Sequence, residues 1–315
     1  MSRCLVIINP VSGGGAARRY ALDLQWKLST LFETIEVKFT TGEGDATRFA
    51  KDACERGFDA VFCMGGDGTV NETVNGIAQG GFKSTFGFIP VGTVNDMSRA
   101  LGIHQNPAQA IKRIDINETR TIDIGRCNDK YFCNNIAAGV IPKVVEEVTP
   151  KEKSILGPLA YFLRAGQALF TTKDYTYRIK TENDDFICKS PLVLALLTNV
   201  VSSFERFMPE ASVDDGYMRI IIFKEYFILD ILSVIPLIIS GAIYNSRYTT
   251  TLTVSKASIE LLSNVDDLAT NMDGDPGPSM PVDIEVLPRV LKVFAPSKHK
   301  KKKALNLPKL PHIDL

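Results

Sequence analysis

Apolar runs of five or six residues alternate with helical stripes through the first third of the chain. Cys4–Ile8, Ile35–Phe39, Ala60–Met64 and Thr85–Pro90 read as strands. Such continuous apolar runs suit strands buried on both faces. Between them, Ala21, Leu24, Leu28 and Leu31 share one helical stripe, and Asp45 is placed to cap a helix running to about Arg56. Val70, Val74 and Ile77 mark a third helix, and a short one ends at Leu101. Asn106-Pro107 opens another, with Asn as cap and Pro in the first turn. This alternation predicts a Rossmann-like parallel sheet with helices on both faces. Near Thr119 the rhythm changes. Thr121–Arg126 and Tyr131–Ala138 read as strands paired around Asn128-Asp129, and Ile155–Phe170 as a helix. Further strands are expected near Tyr175–Thr181, Phe186–Leu197, Tyr217–Phe223, Tyr248–Val254, Ser258–Leu262, Val282–Leu287 and Val290–Phe294. Short turns between them predict a mostly antiparallel second domain. The expected division is an α/β domain over 1–120 and a β-rich domain over 121–294, with a tail over 295–315 that packs back or hangs free.

The 315 residues suit one large or two moderate domains, and an apolar content of 45% is ample for a core. The formal net charge is zero, which gives no global attraction to nucleic acid. Cys4, Cys54, Cys63, Cys127, Cys133 and Cys188 are scattered without a Cys-x-x-Cys pair and read as reduced thiols of a cytosolic protein. A strand begins at once, so no signal peptide is expected. Tyr226–Tyr244 approaches the length of a membrane span, but Asp230 and Pro236 argue for a helix packed on a sheet. The block Lys298, His299, Lys300, Lys301, Lys302 and Lys303 is the one strong concentration of charge.

Gly65-Gly66-Asp67-Gly68-Thr69 follows the third strand and opens the third helix. Glycines let the backbone approach something bulky, and a helix start presents free N–H groups. Asp67 in the same turn suits a phosphate that carries Mg²⁺, since a bare phosphate would repel it. Thr69 and Glu72 have capping-box spacing, which places the helix start at Thr69. In an open parallel sheet, ligands bind beyond the carboxyl ends of the strands. Three polar loops are expected there, Asn9–Gly15, Gly65–Glu72 and Val91–Asp96, with Thr40 after the second strand as either a cap or a ligand contact. Neither Gly-x-x-x-x-Gly-Lys-Ser/Thr nor Gly-x-Gly-x-x-Gly after the first strand occurs, which excludes a P-loop protein and disfavours a dinucleotide dehydrogenase.

Asn9-Pro10, Gly65-Gly66-Asp67-Gly68-Thr69-Val70-Asn71-Glu72, Pro90-Val91-Gly92-Thr93-Val94-Asn95-Asp96, Asp214-Asp215-Gly216 and Met272-Asp273-Gly274-Asp275 occur in this order. The set resembles the diacylglycerol kinase catalytic-domain family, which also holds sphingosine kinases and bacterial lipid kinases. The resemblance spans the whole chain. It implies a nucleotide-binding α/β domain and a β-sandwich-like lipid domain, with ATP in the cleft. It implies nucleotide contacts at Asn9, Pro10, Val11, Ser12, Gly13, Thr40, Gly66, Asp67, Gly68, Thr69, Val70, Asn71, Glu72 and Thr93. It implies a structural Mg²⁺ held by the Asp215 side chain with backbone oxygens near Ser212 and Tyr217, and an acidic, water-linked network of Asp67, Asp96 and Asp123. From the residues alone, Asp214-Asp215 reads equally as a solvated turn.

Phosphoryl transfer needs positioning, charge neutralisation and a base for the attacking hydroxyl. His104, His299 and His312 lie outside the expected cleft, which leaves the carboxylates of Asp273-Gly274-Asp275. The family turn reads Asp-Gly-Glu, so Asp273 matches and Asp275 is one methylene shorter. The expected reaction is transfer from ATP, with Mg²⁺, to diacylglycerol, giving phosphatidic acid. A sphingoid base or other long-chain alcohol, an NAD-kinase-like reaction and a non-catalytic regulator are the alternatives. The expected partners are a membrane lipid substrate and an anionic membrane surface at the inner face of the membrane, met through the lysine block or the Ile228–Ile243 helix. The alternative for those two segments is a solubilising tail and a helix that covers the core of the second domain. No nucleic acid is expected, and a homodimer stays open.

Overall fold

The computed structural model describes residues 2–139, 175–205, 207–224, 236–237, 240–263 and 268–297. The helix expected over Ile155–Phe170 and the lysine block lie outside these residues, as does most of Tyr226–Tyr244.

Strands β1 (Arg3–Ile8), β2 (Thr34–Phe39), β3 (Ala60–Gly65) and β4 (Thr85–Pro90) pair in parallel in the order β2-β1-β3-β4. Helices α1 (Ser12–Ser29), α2 (Asp45–Glu55) and α3 (Asp67–Gln79) connect them, and α4 (Asp96–Leu101) and α5 (Pro107–Lys112) follow β4. β3 is buried at all six positions, as a central parallel strand covered on both faces must be. Leu5, Ile7, Val61 and Cys63 meet Val74 and Ile77 of α3 on one face, whereas Val6, Phe62 and Met64 meet Leu24 and Leu28 of α1 on the other. Each such aliphatic or aromatic side chain stabilises the fold by about 1.5–3 kcal/mol relative to exposure.

The remaining strands are β5 (Thr119–Cys127), β6 (Lys130–Phe132), β7 (Asn135–Gly139), β8 (Tyr175–Thr181), β9 (Asp185–Ser190), β10 (Leu192–Leu196), β11 (Met218–Phe223), β12 (Thr249–Val254), β13 (Lys256–Leu261), β14 (Ala269–Met272), β15 (Asp275–Ser279) and β16 (Val282–Phe294). β12-β11-β10-β7-β14-β15 form a six-stranded sheet. It packs on β8, β13 and β16 through Ile136, Val193, Ile220, Tyr177, Ile259 and Ile284, a sandwich of two apolar faces. β16 also pairs with β5 and, through Val293 with Phe86, with β4, so one ten-stranded sheet runs through both lobes. Phe294 stacks on Phe62 with ring centroids 5.2 Å apart, so the chain is back in the first lobe by the end of β16. All six cysteines are free thiols.

Four expected strands are divided differently. Tyr131–Ala138 splits into β6 and β7, in different sheets, because the N–H groups of Cys133, Asn134 and Asn135 turn onto the Asp273 carboxylate. Phe186–Leu197 splits into β9 and β10 at Pro191, where Ser190 Oγ accepts from Leu192 N–H and donates to the Phe223 carbonyl. Val282–Leu287 and Val290–Phe294 are instead one strand with a register shift at Pro288-Arg289. There Pro lacks a donor, and Arg289 N–H turns to Asp123 Oδ1 at 2.8 Å. β15 was hidden by Pro276, Gly277 and Pro278, which only a sheet edge tolerates, and β15 is an edge strand.

Candidate active site

The loops after β1, β3 and β4 meet at one edge of the parallel sheet. Asn9 Nδ2 donates to Thr69 Oγ1 at 3.2 Å, and Asn9 Oδ1 accepts from Val11 N–H at 3.3 Å, which ties the first loop to the glycine turn. Gly13, at φ 61°, lies so close to the Val91 carbonyl that a Cβ would collide with it, so the first and third loops also touch. Asp67 joins the second loop to the third: Oδ2 accepts from Asn95 N–H at 2.8 Å and Oδ1 from Asp96 N–H at 3.0 Å. Each carboxylate oxygen keeps a second lone pair. Helix α3 starts at Asp67 after Gly66, with no side-chain cap, so its first-turn N–H groups and positive dipole end serve the loop cluster.

The capping box expected from Thr69 and Glu72 does not form. Thr69 is engaged by Asn9, and Glu72 Oε2 accepts from Ala46 N–H at 3.1 Å, at the start of the neighbouring α2. Asp45 likewise turns back, accepting from Thr41 and Gly42 N–H instead of capping α2. Val70 is buried in the core. Asn71 Nδ2 donates to Asp273 Oδ2 at 2.8 Å, so its side chain faces the second lobe. Pro10, Val11, Gly66 and Thr93 lie in the three converging loops, whereas Ser12 opens α1 just before the left-handed Gly13–Gly15 stretch and Gly68 is the second residue of α3. Thr40 stands one residue past β2, donating its N–H to the Ile8 carbonyl at 2.9 Å. Among the described residues no hydrogen bond links its side chain to the three loops.

The hairpin between β14 and β15 closes the site from the second lobe. Asp273 (φ 53°) and Gly274 (φ 101°) both adopt left-handed backbone, the conformation of a tight two-residue turn. Asp273 is an anchor. Its oxygens accept from Cys133 N–H at 2.6 Å, from Asn134 and Asn135 N–H at 2.9 Å each, and from Asn71 Nδ2. Burial pushes its carboxyl up, and these four donors pull it partly back. Asp275 differs. Among the described residues its carboxylate takes part in no hydrogen bond or ion pair, and Oδ2 stands 3.1 Å from where a Cβ on Gly68 would lie. Its carboxyl is raised by desolvation and by the charges of Glu72, Glu43 and Asp67. The acidic hairpin therefore looks directly onto the glycine turn.

A closed circuit of hydrogen bonds fixes this geometry. Asp67 holds the start of α4, where Asp96 accepts from Ser202 and Ser203 N–H at 2.7 Å each and from Asn134 Nδ2 at 3.1 Å. Asn134 N–H and Asn71 reach Asp273, and Asn71 lies one turn from Asp67 on α3. Asn134, Ser202 and Ser203 were not singled out from sequence; the polar Asn134-Asn135 step inside an otherwise apolar run was the available signal. The acidic network thus comprises Asp67, Asp96 and Asp273. Asp123 belongs elsewhere, accepting from Gly216 and Arg289 N–H beside Asp214 and Asp215.

Desolvation pushes the Asp96 carboxyl up from 3.8 to about 6, with the charges of Asp67 and Asp273 adding to the effect. The folded state therefore binds this proton more tightly than the unfolded chain. By linkage, the contribution of Asp96 is most stabilising below pH 3.8 and is lost as pH rises to about 6. Denaturant titrations across that window should show this falling component, and Asp96→Asn should flatten it. An unchanged pH slope in the variant would place the titration elsewhere.

The site's donors are carboxylate, amide and hydroxyl oxygens, with no Lys or Arg in the three loops. Asp67, Glu72 and Asp275 bring three carboxylates toward one place, a concentration of negative charge that fits a hard divalent cation arriving with a nucleotide. The residues expected around a structural Mg²⁺ do not fit one. Ser212 and Tyr217 give N–H groups to Asp215, and Arg219 Nη1 lies between Asp215 Oδ2 (2.7 Å) and the Tyr217 carbonyl (3.2 Å).

Comparison with known proteins agrees with this architecture. Residues 3–127 match the diacylglycerol kinase catalytic domain, and residues 134–295 match the YegS C-terminal NAD kinase beta sandwich-like domain. A diacylglycerol kinase of Staphylococcus aureus is 34% identical over 295 residues, covering 94% of this chain and 93% of its own. A relative from Streptococcus pneumoniae, 35% identical over 301 residues and covering 95% of this chain and 99% of its own, carries the broader name of a lipid kinase. A crystal structure of a diacylglycerol kinase from Bacillus anthracis superposes with a TM-score of 0.79 at 24% identity, covering 94% of this chain and 97% of that one, and shares the fold. The kinase family implies ATP as phosphate donor, and no helix among the described residues is long and apolar enough to cross a membrane. With the loops, the hairpin and these relatives in agreement, the chain belongs to the diacylglycerol kinase family and is a lipid-kinase phosphotransferase.

Proposed function

We propose that the protein transfers the γ-phosphate of ATP to the free hydroxyl of diacylglycerol, giving phosphatidic acid. The observation that carries this reading is the Asp275 carboxylate, unbonded among the described residues and set against Gly68 at the start of α3. Backbone N–H groups of the first turn of α3 and of the Asn9–Gly13 loop bind the phosphates, helped by the helix dipole. Asp67 is the residue that would hold Mg²⁺, which would neutralise charge on the phosphoryl oxygens as they move. Asp275 takes the proton from the acceptor hydroxyl, and the raised affinity of its carboxyl for a proton suits a general base. Asp273 holds the hairpin in place.

Incubation with labelled ATP and detergent-dispersed diacylglycerol should give phosphatidic acid, with sphingosine phosphorylated at least about tenfold less efficiently. A preference for sphingosine would transfer the assignment to a sphingoid base. Transfer to no long-chain alcohol would overturn the catalytic reading.

A lipid acceptor requires the working protein to reach a membrane surface, transiently and at its inner face. The lysine block would contribute about 1 kcal/mol per basic residue on anionic lipid. Co-sedimentation with anionic vesicles should weaken as salt is raised. Binding that ignores salt and survives loss of residues 298–303 would eliminate the electrostatic part.

A further inference from the structure

The turn spanning residues 212–217 joins the second lobe to β5, since Gly216 N–H donates to Asp123 Oδ2 at 2.6 Å. Asp215 closes this turn on itself. Oδ1 accepts from Tyr217 N–H at 3.0 Å, and Oδ2 accepts from Ser212 N–H at 3.1 Å. Arg219, the second residue of β11, places Nη1 2.7 Å from the same Oδ2. That nitrogen also donates to the Tyr217 carbonyl at 3.2 Å, while Nη2 donates to the Glu210 carbonyl at 3.4 Å. One carboxylate oxygen and two carbonyl oxygens thus converge on a single cationic head, whose side chain is only 11% exposed. These are hard oxygen donors of the kind that bind divalent ions. Here the charge at their focus is a guanidinium, which does not deprotonate in proteins.

The surrounding charge is balanced in the same way. Asp214 faces Arg120 at 3.7 Å and accepts from Ser212 Oγ at 2.6 Å, and Arg289 Nε donates to the Asp214 carbonyl at 3.3 Å. Among the described residues, no three His, Cys, Asp or Glu side chains converge as a metal site. A divalent ion at Asp215 and the Tyr217 carbonyl would need contacts of about 2.0–2.6 Å in the space the guanidinium fills. It would have to expel that head or share oxygens with it against like-charge repulsion.

We infer that Arg219 is the resident cation of this turn, a tethered charge standing where a structural divalent ion would otherwise bridge Asp215 and Tyr217. The fold then needs no metal at this place, and the protein's demand for a divalent ion lies at the nucleotide loops. This holds whichever lipid is the acceptor.

The test uses nucleotide-free protein. Mn²⁺ uptake is followed by loss of the free-ion electron paramagnetic resonance signal, and thermal unfolding is compared in EDTA and in excess MgCl₂. Wild-type protein should show no Mn²⁺ site that Asp215→Asn abolishes, and its midpoint should be the same in both buffers. Arg219→Met keeps the apolar stem and removes the charge. Its midpoint should fall in EDTA and recover with Mg²⁺, and it should gain a Mn²⁺ site at least about tenfold tighter than any in the wild type. Arg219→Lys should stay indifferent to EDTA. A wild-type Mn²⁺ site lost in Asp215→Asn, or a wild-type midpoint that falls in EDTA, would overturn the inference. So would an Arg219→Met chain that gains no site and no metal dependence. Should Arg219→Met fail to fold, the wild-type titration with its Asp215→Asn control decides the matter.

Discussion

Replacing Asp275 by asparagine is expected to lower kcat by about 10²- to 10⁴-fold, the usual contribution of a positioned general base. The thermal midpoint should move by no more than about 2 °C, because an exposed side chain without partners costs within about 0.5 kcal/mol to change. This separation of activity from stability follows from geometry: among the described residues the Asp275 carboxylate makes no hydrogen bond and faces Gly68. KM for ATP should change little, since the asparagine leaves the N–H groups of the loops untouched. Asp275→Glu restores the longer side chain of the family pattern and should keep or raise turnover. Asparagine at full activity would show that the proton leaves by another route.

Asp273→Ala should behave in the opposite way. Four donors, the N–H groups of Cys133, Asn134 and Asn135 and the Asn71 amide, lose their acceptor at once. An orphaned buried donor costs about 1–3 kcal/mol, and several share this site, so a loss of at least about 3 kcal/mol is expected. That corresponds to a fall in midpoint of roughly 6–12 °C for a chain of this size. Activity should fall too, because the hairpin that carries Asp275 is unhooked from α3 and β7. Thermal unfolding in parallel with kinetics checks this. A variant as stable as the wild type but chemically dead would make Asp273 the base and reverse the roles assigned to the two carboxylates.

The parallel half of the fold was legible because each apolar run is bounded by glycine or polar turns and followed by a helical stripe, as at Ala60–Gly65 and Asp67–Gln79. The meeting of the three loops followed from strand direction alone. What the residues did not disclose is where polar side chains point. Asn71 and Glu72 adjoin the glycine turn in sequence, yet helical geometry sends Asn71 to Asp273 and Glu72 to the start of α2. The two carboxylates of Asp273-Gly274-Asp275 look alike in sequence and differ in space, one bonded on both oxygens and the other open. Their difference depends on Cys133, Asn134 and Asn135, 138–140 residues away along the chain from Asp273. In the second domain a side-chain acceptor, Asp273, and a proline, Pro191, break strands that the apolar pattern runs together, whereas at Pro288 the strand continues through a register shift where the sequence suggests a break.

The most direct test is a crystal structure with a non-hydrolysable ATP analogue and Mg²⁺. The phosphates should lie against the N–H groups of Gly66–Thr69 and Asn9–Gly13, with the terminal phosphoryl group and Asp275 separated by room for one acceptor hydroxyl. An analogue bound away from these loops, or bound there with the Asp275 carboxylate beyond reach even through one water, would contradict the account.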